Sequence, residues 1–314
     1  MNTTTTRVAT PIGRVTTGRT SRGTLARYEE RWAYLFLLPS LLGLLLFTLG
    51  PIVASLLLSF AHWDLLTQPH WLGLLNYQWL FGHDDVFPTA LLNTLTYAFV
   101  STPLGIVLAL LLALAMNQRI RGVVIFRTIY FIPTITSGVA IALLWSWIYN
   151  PSFGLANWLL GLVGVPPGTW LSSPTTVLPS IILMAVWQGL GYNMVIFLAG
   201  LQGIDRSYYE AAMIDGANAW QRFWRITLPL LSPTTFFIAV IGLIGGFQVF
   251  VPMYVMTSGG PGNASQSVVL YIFQNGFQYL HMGLASAAAW VLFAVVFAFT
   301  LLQVRLQRRW VHYE

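Results

Sequence analysis

The amino-acid sequence predicts an all-α polytopic membrane protein with six transmembrane helices. Hydrophobic residues make up 56% of the 314-residue chain, charged residues make up only 8%, and the mean hydropathy is +0.70. The apolar residues are concentrated in six stretches, and each is long enough to cross a hydrocarbon core of roughly 30 Å, which takes about 20 helical residues. The basic residues fall in alternate connections between these stretches, which is typical of chains that cross a membrane several times.

The six apolar stretches are the predicted spans, and their cores are almost free of charge. We predict spans at residues 33–60, 89–117, 124–149, 176–203, 229–256 and 283–304. None of them contains Asp or Glu, and Arg127, at the entrance of the third span, is their only basic residue. A charged side chain at the bilayer centre costs about 2.5–3.5 kcal/mol on insertion scales, so this pattern is what a lipid environment requires.

The distribution of basic residues predicts the orientation of the chain. All fifteen basic residues are Arg, and the chain has neither Lys nor Cys. They lie in the N-terminal segment, the second connection, the loop before the fifth span and the C-terminal tail: Arg7, Arg14, Arg19, Arg22, Arg27, Arg31, Arg119, Arg121, Arg127, Arg206, Arg222, Arg225, Arg305, Arg308 and Arg309. By the positive-inside rule both termini and that loop face the cytoplasm. Membrane topology therefore explains the net charge of +6, and no nucleic-acid partner is predicted.

Two regions with different compositions set the predicted domain boundaries. Residues 1–28 are predicted to form a disordered cytoplasmic tail, because most of this segment is rich in Thr, Arg and Gly and lacks apolar periodicity. Residues 29–314 are predicted to form one transmembrane domain of six helices, with a long cytoplasmic loop at residues 204–229. An additional short amphipathic helix is expected at Leu155–Leu162, between the third and fourth spans.

The loop at residues 204–229 is the longest polar interruption in the second half of the chain, and its residues predict a helix–turn–helix elbow. Asp205 suits the N-cap of a first helix, and Gly216 suits a left-handed C-terminal cap. A second short helix is expected to begin at Asn218, and Pro229 then opens the next apolar run.

A motif within this loop carries a resemblance to a known family. Glu210, Ala211 and Ala212 are followed after three residues by Gly216 and after nine more by Ile-x-Leu-Pro, which ends at Pro229. This pattern resembles the signature loop of permease subunits in binding-protein-dependent ABC importers. Weaker resemblances lie in the expected order at WLGLLNYQWLF, at FRTIYFIPTITSGVAIALLWSWIYNP and at the Gly-Gly-Pro turn before the last span. The alternative is an amphipathic surface elbow with chance matches.

The resemblance implies a type I ABC importer permease fold in the inner membrane of a bacterial cell. It implies a subunit that moves a sugar, an oligosaccharide or a glycerol-phosphate compound and has no cofactor or ATP site of its own. The implied partners are a second homologous permease, two ATP-binding subunits and an extracytoplasmic substrate-binding protein. The residues implied to couple this chain to the ATPase are Glu210, Ala211, Ala212, Asp215 and Gly216 of the loop, which we call the coupling loop.

Polar residues and glycines in the fourth and fifth spans are the candidate substrate path. Amides, hydroxyls and glycines are suited to a sugar, which is bound without charge. The candidates are Gln188, Gly189, Tyr192, Asn193, Gly242, Gly246 and Gln248. The resemblance also places substrate against the positions of Gln188, Gly189 and Tyr192 and near Gln248. The alternative, that these groups only hold helices together, stays open at this point.

Other functions are less consistent with the sequence. A stand-alone secondary carrier is the main alternative, but such carriers usually keep ionisable groups near the middle of the membrane. An enzyme acting on lipid-linked sugars would need carboxylates at a membrane face, and Asp84 and Asp85 are the only adjacent external pair. The histidines of the first external connection match no standard zinc spacing, so no metal site is predicted.

Overall fold

The computed structural model describes residues 24–118 and 121–310, and these are mostly helical. The predicted tail lies outside the described residues over positions 1–23, whereas positions 24–28 already belong to the first helix. The helices are α1 (Thr24–Leu44), α2 (Gly50–Leu58), α3 (Leu75–Gly82), α4 (Val86–Met116), α5 (Val123–Ile135), α6 (Gly138–Ile148), α7 (Leu155–Leu162), α8 (Val177–Gly203), α9 (Arg206–Ile214), α10 (Ala219–Arg222), α11 (Leu228–Leu230), α12 (Ser232–Phe247), α13 (Val251–Thr257), α14 (Val268–Phe273) and α15 (Met282–Trp310).

The described chain also contains π-helical turns and short strands. Three π-helical turns occur at Leu45–Leu49, Phe223–Thr227 and Gln274–Gln278. Two short strands, β1 (Ala61–His62) and β2 (His70–Trp71), pair antiparallel in the connection after the first span. The short helix expected at Leu155–Leu162 is present as α7, with the same bounds.

The described residues contain up to six membrane spans. Four are single long helical stretches, Tyr28–Leu58, Val86–Met116, Val177–Gly203 and Met282–Arg308. The other two are bent pairs, in which α5 and α6 meet at 102° and the segment Ala219–Leu230 meets α12 at 60°. The count is six when each bent pair is taken as one span. The bounds of the four straight spans lie within five residues of the predicted bounds.

The third and fifth spans depart from the uninterrupted stretches that the sequence predicted. The run 124–149 is broken at Thr136, whose backbone is extended, and at Ser137, which has φ −52° and ψ 129°. The fifth span, predicted at 229–256, is instead the bent pair Ala219–Leu230 with α12, which ends at Phe247. Within the predicted run, a second break separates α12 from α13, where Phe250 has φ −135° and ψ −60°. Hydropathy measures the apolar character of a run and not the direction of its backbone, so it does not reveal such breaks.

The chain divides into two compact units, Met1–Ala54 and Ser55–Glu314. The described part of the first unit is α1, the π-helical turn Leu45–Leu49 and the beginning of α2, which form one helical stretch. The second unit contains the other spans and has buried apolar clusters along its length. Its central helix is α4, which packs against α8 and α12.

Glycines allow the helices of the second unit to approach closely. A Cβ atom at Gly191 of α8 would lie 2.1 Å from the carbonyl oxygen of Tyr130 and 2.7 Å from the Cα of Phe131, both in α5. A Cβ atom at Gly246 of α12 would lie 2.9 Å from the Cα of Ala98 in α4. Any larger residue at these two crossings would push the backbones apart.

Candidate functional site

A small cavity lies where α4, α8 and α12 meet. Its volume is about 150 Å³. Each of the three helices contributes residues spaced by four positions, so one face of each helix turns toward the same space. These stripes are Tyr97, Ser101 and Gly105 of α4; Ala185, Gly189 and Asn193 of α8; and Ile238, Gly242 and Gly246 of α12. The cavity is therefore a product of three helical stripes.

A larger cavity adjoins the small one and lies near the break between α5 and α6 and the break between α12 and α13. Its volume is about 470 Å³, and it shares Tyr97, Ala185, Gly189 and Asn193 with the small cavity. Its other walls are Thr134 of α5, Gln188 and Tyr192 of α8, and the segment from Val249 to Pro252. The break after α12 thus supplies part of the wall, and Phe250 stacks on Tyr254 there with ring centroids 5.3 Å apart.

Both cavities are uncharged and combine polar with apolar groups. Their described walls carry side-chain amides, hydroxyls and aromatic rings, and none of these wall residues is Asp, Glu or Arg. Amides and hydroxyls exchange hydrogen bonds with the hydroxyl groups of a sugar, and aromatic faces cover its apolar patches. An ion or a strongly charged ligand would find no counter-charge on these walls.

The structure brings most of the predicted substrate-path residues together. Gln188, Gly189, Tyr192 and Asn193 line the larger cavity, and Gly189 has no atom within 4 Å of the position of its Cβ. Gly242 and Gly246 line the small cavity while also packing against α4, so both the substrate and the helix-packing interpretations apply to them. Gln248 caps the end of α12, is exposed and lines neither cavity. Substrate contact stays a prediction for every one of these residues.

Several cavity residues were missed by the sequence analysis. Tyr97, Thr134 and Phe250 are among the wall side chains that the prediction did not include. For Tyr97 a signal was present, because Tyr97, Ser101 and Gly105 form a four-residue repeat within an otherwise apolar helix. Phe250 had no such signal, since its position depends on the break after α12.

The coupling loop has the elbow shape that its capping residues predict. The Asp205 carboxylate caps α9 by accepting a hydrogen bond of 2.8 Å from the backbone N–H of Ser207. This bond and a second from the Ser207 hydroxyl hold the pKa of the Asp205 carboxyl below its ordinary value. At the other end Gly216 has φ +76°, and the N–H of Ala217 donates to the carbonyl of Ala212 at 2.9 Å. These features are a Schellman cap, which fixes the exit of the chain.

The second half of the loop joins the elbow to the fifth span. Asn218 and Gln221 form a capping box at the start of α10, with both hydrogen bonds at 2.9 Å. The hydroxyl of Tyr209 in α9 is 2.9 Å from that of Thr227, at the end of the π-helical turn. A hydrogen bond between two side chains therefore joins α9 to the turn that leads into the fifth span.

The outer face of the coupling loop is exposed. Glu210, Ala211, Asp215 and Gly216 are all exposed, and Ala212 is half-buried. Two large apolar side chains are exposed with them, since Ile214 is 87% exposed and Trp220 is 69% exposed. Exposed carboxylates beside exposed apolar side chains are suited to a protein partner.

Comparison with known proteins identifies the family of the chain. Residues 101–312 match the family described as the inner membrane component of binding-protein-dependent transport systems. The chain belongs to this family. It is a transport permease subunit, and the resemblance first drawn from the coupling loop is confirmed.

Relatives extend the match over almost the whole permease. It is 42% identical over 292 residues to a probable ABC transporter permease protein, YesP, of Bacillus subtilis, covering 92% of this chain and 94% of that one. It is 35% identical over 282 residues to the trehalose/maltose transport system permease protein MalF of Thermococcus litoralis, covering 89% and 95%. These relatives are transport permeases, so the interpretation of the chain as a transport subunit and not an enzyme is confirmed, and the carrier alternative receives no support.

A solved structure shows that the fold is also shared. The permease matches a chain in the crystal structure of a bacterial alginate ABC transporter in complex with an alginate pentasaccharide-bound periplasmic protein. The TM-score is 0.80 at 27% sequence identity, and the match covers 92% of this chain and 98% of that one. The predicted type I ABC importer fold is therefore confirmed, and the permease is a multi-pass membrane protein.

Proposed function

We infer that this permease moves a sugar or an oligosaccharide through the small cavity between α4, α8 and α12 and the larger cavity that adjoins it. The observation that carries this proposal is the uncharged lining of amides, hydroxyls and aromatic rings at the junction of three spans. Two similar proteins support a sugar substrate, because one is a trehalose/maltose transport system permease and the other belongs to an alginate transporter crystallised with its alginate pentasaccharide-bound periplasmic protein.

The other components of the transporter are proposed to be separate subunits. A binding protein delivers the sugar, a second homologous permease completes the path, and two ATP-binding subunits supply the energy. The coupling loop supports this assignment, because its exposed carboxylates and its exposed Ile214 and Trp220 offer a surface to an ATPase subunit.

Co-purification tests the proposed assembly. The permease is expected to carry a second permease and an ATPase subunit through purification in mild detergent, and to import labelled sugar in proteoliposomes that contain ATP and the loaded binding protein. Identification of the co-purified proteins by mass spectrometry checks the first expectation. A chain that purifies alone and catalyses sugar uptake without ATP would contradict the proposal and favour a carrier.

We also propose that both termini and the coupling loop face the cytoplasm, as the arginine distribution predicts. The chain contains no Cys, so single cysteines report individual positions. Gly82→Cys and Gly161→Cys are expected to react with an impermeant thiol reagent added outside whole cells, and neither glycine has an atom within 4 Å of its Cβ position. Ser207→Cys and Ala219→Cys, at exposed positions of the coupling loop, are expected to react only after the cells are opened. Labelling of position 207 from outside would contradict this orientation.

A further inference from the structure

A third cavity lies between the end of α4 and the coupling loop, and the substrate path does not use it. Its volume is about 360 Å³. One wall is Leu114, two residues before the last residue of α4, and the loop supplies the other walls with Tyr209, Met213, Arg222, Phe223 and Thr227. We call it the coupling-loop cavity. A volume of this size suits a small polar group and part of its apolar attachment.

The coupling-loop cavity combines one cation with apolar walls. Arg222 is half-buried and is the charged residue among the described residues that line it. The carboxylates of Glu210 and Asp215 are exposed and do not line the cavity. The hydroxyls of Tyr209 and Thr227 are 2.9 Å apart and bond to one another. A guanidinium with reduced hydration favours an anionic ligand, and its fork of donors matches a phosphate in two hydrogen bonds.

We propose that the coupling-loop cavity binds the phosphate of an anionic membrane lipid through Arg222. The apolar walls favour a lipid over free phosphate, because Leu114, Met213 and Phe223 would contact the glycerol and acyl region while a free phosphate would leave them uncovered. The location agrees, since the cavity lies beside the end of a span. Basic pockets beside spans on the cytoplasmic side are general sites for anionic headgroups. The inference rests on the proposed function in so far as this loop is cytoplasmic and contacts the ATPase.

Occupation of this cavity would connect the lipid to transport. The ligand would contact α4 through Leu114, α9 through Met213 and the start of the fifth span through Phe223. It would therefore hold the elbow in place against two spans, and the position of the loop would depend on the lipid composition.

Lipid titration of the purified complex tests the proposal. The complex is exchanged into phosphatidylcholine and titrated with phosphatidylglycerol, and native mass spectrometry counts the phosphatidylglycerol that stays bound. Arg222→Gln is expected to weaken the tightest phosphatidylglycerol site by about tenfold, the effect of losing one charge-assisted hydrogen bond. Arg222→Lys keeps the charge and is expected to retain more of the binding. Arg225→Gln is the matched control, because Arg225 lies three residues further on, is exposed and does not line the cavity.

The other outcomes distinguish a lipid phosphate from free phosphate, and failure of lipid binding from failure of the proposed function. Equal phosphatidylglycerol binding by wild type and Arg222→Gln would overturn it. Displacement of the lipid by millimolar inorganic phosphate, with no preference for phosphatidylglycerol over phosphate, would overturn the lipid as the occupant. Binding is counted on this chain, whereas failure of the proposed function would show as a lack of co-purified ATPase. The two failures are therefore distinguishable.

Discussion

Glu210→Arg and Gly216→Val are expected to abolish ATP-driven uptake while leaving the permease inserted and folded. Both positions are exposed on the coupling loop, so the substitutions disturb the partner surface and not the core. Loss of one buried interfacial charge pair costs about 2–5 kcal/mol, which weakens docking by about thirtyfold or more. Gly216 has φ +76°, and a Cβ in the left-handed region costs roughly 1–2 kcal/mol and opens the Schellman cap.

Retention of the ATPase subunit on the purified permease measures this effect. Gly203→Val is the matched control, because Gly203 lies at the end of α8 just before the loop, has no positive φ and has no atom within 4 Å of its Cβ position. The control is expected to retain ATPase and uptake at the wild-type level. If Glu210→Arg and Gly216→Val both retained the ATPase subunit at the wild-type level, the coupling loop would not be the docking site of the ATPase.

Gly189→Phe is expected to reduce sugar uptake to background without disassembling the complex. Gly189 lines both cavities, and the space beyond its Cβ position is open, so the ring enters the cavities instead of the helix contacts. The small cavity holds only about 150 Å³, so a phenyl ring takes up much of it. Tyr192→Ala, in the larger cavity, is expected to weaken uptake less, because it removes one contact and leaves the path open.

Gly161→Phe is the control for the added ring, since Gly161 lies on α7, away from both cavities, and also has open space at its Cβ position. Uptake and ATPase retention are measured for both variants. Normal uptake by Gly189→Phe would mean that the sugar does not pass between α4, α8 and α12.

The spans and the loop were predictable from the sequence because their signals are local. A straight span is one continuous apolar segment of the sequence, so its bounds can be read from hydropathy. The spans at Val86–Met116 and Val177–Gly203 accordingly agree with the prediction to within three residues. The caps at Asp205, Gly216 and Asn218 were predictable for the same reason, since each depends on residues within four positions of it.

The cavities were only partly predictable because they depend on how helices face one another. The polar residues of α8 marked one wall, but the opposing wall at Tyr97 requires that α4 packs against α8. The breaks at Thr136 and Phe250 lie inside apolar runs and leave no trace in hydropathy, yet the second of them positions part of the larger cavity. The dual role of Gly246, as cavity wall and as contact with Ala98, also became visible only in the packed structure.

We propose that this permease contains a sugar path and a separate loop through which an ATPase subunit drives transport. Sugar-stimulated ATP hydrolysis and sugar uptake, measured together in proteoliposomes with loaded binding protein, test it most directly. We expect Gly189→Phe to keep the ATPase bound and to lose uptake, and Gly216→Val to lose the bound ATPase together with uptake and stimulated hydrolysis. If both variants lost the ATPase to the same extent, or if both retained uptake, the assignment of separate roles to the cavities and the coupling loop would be contradicted.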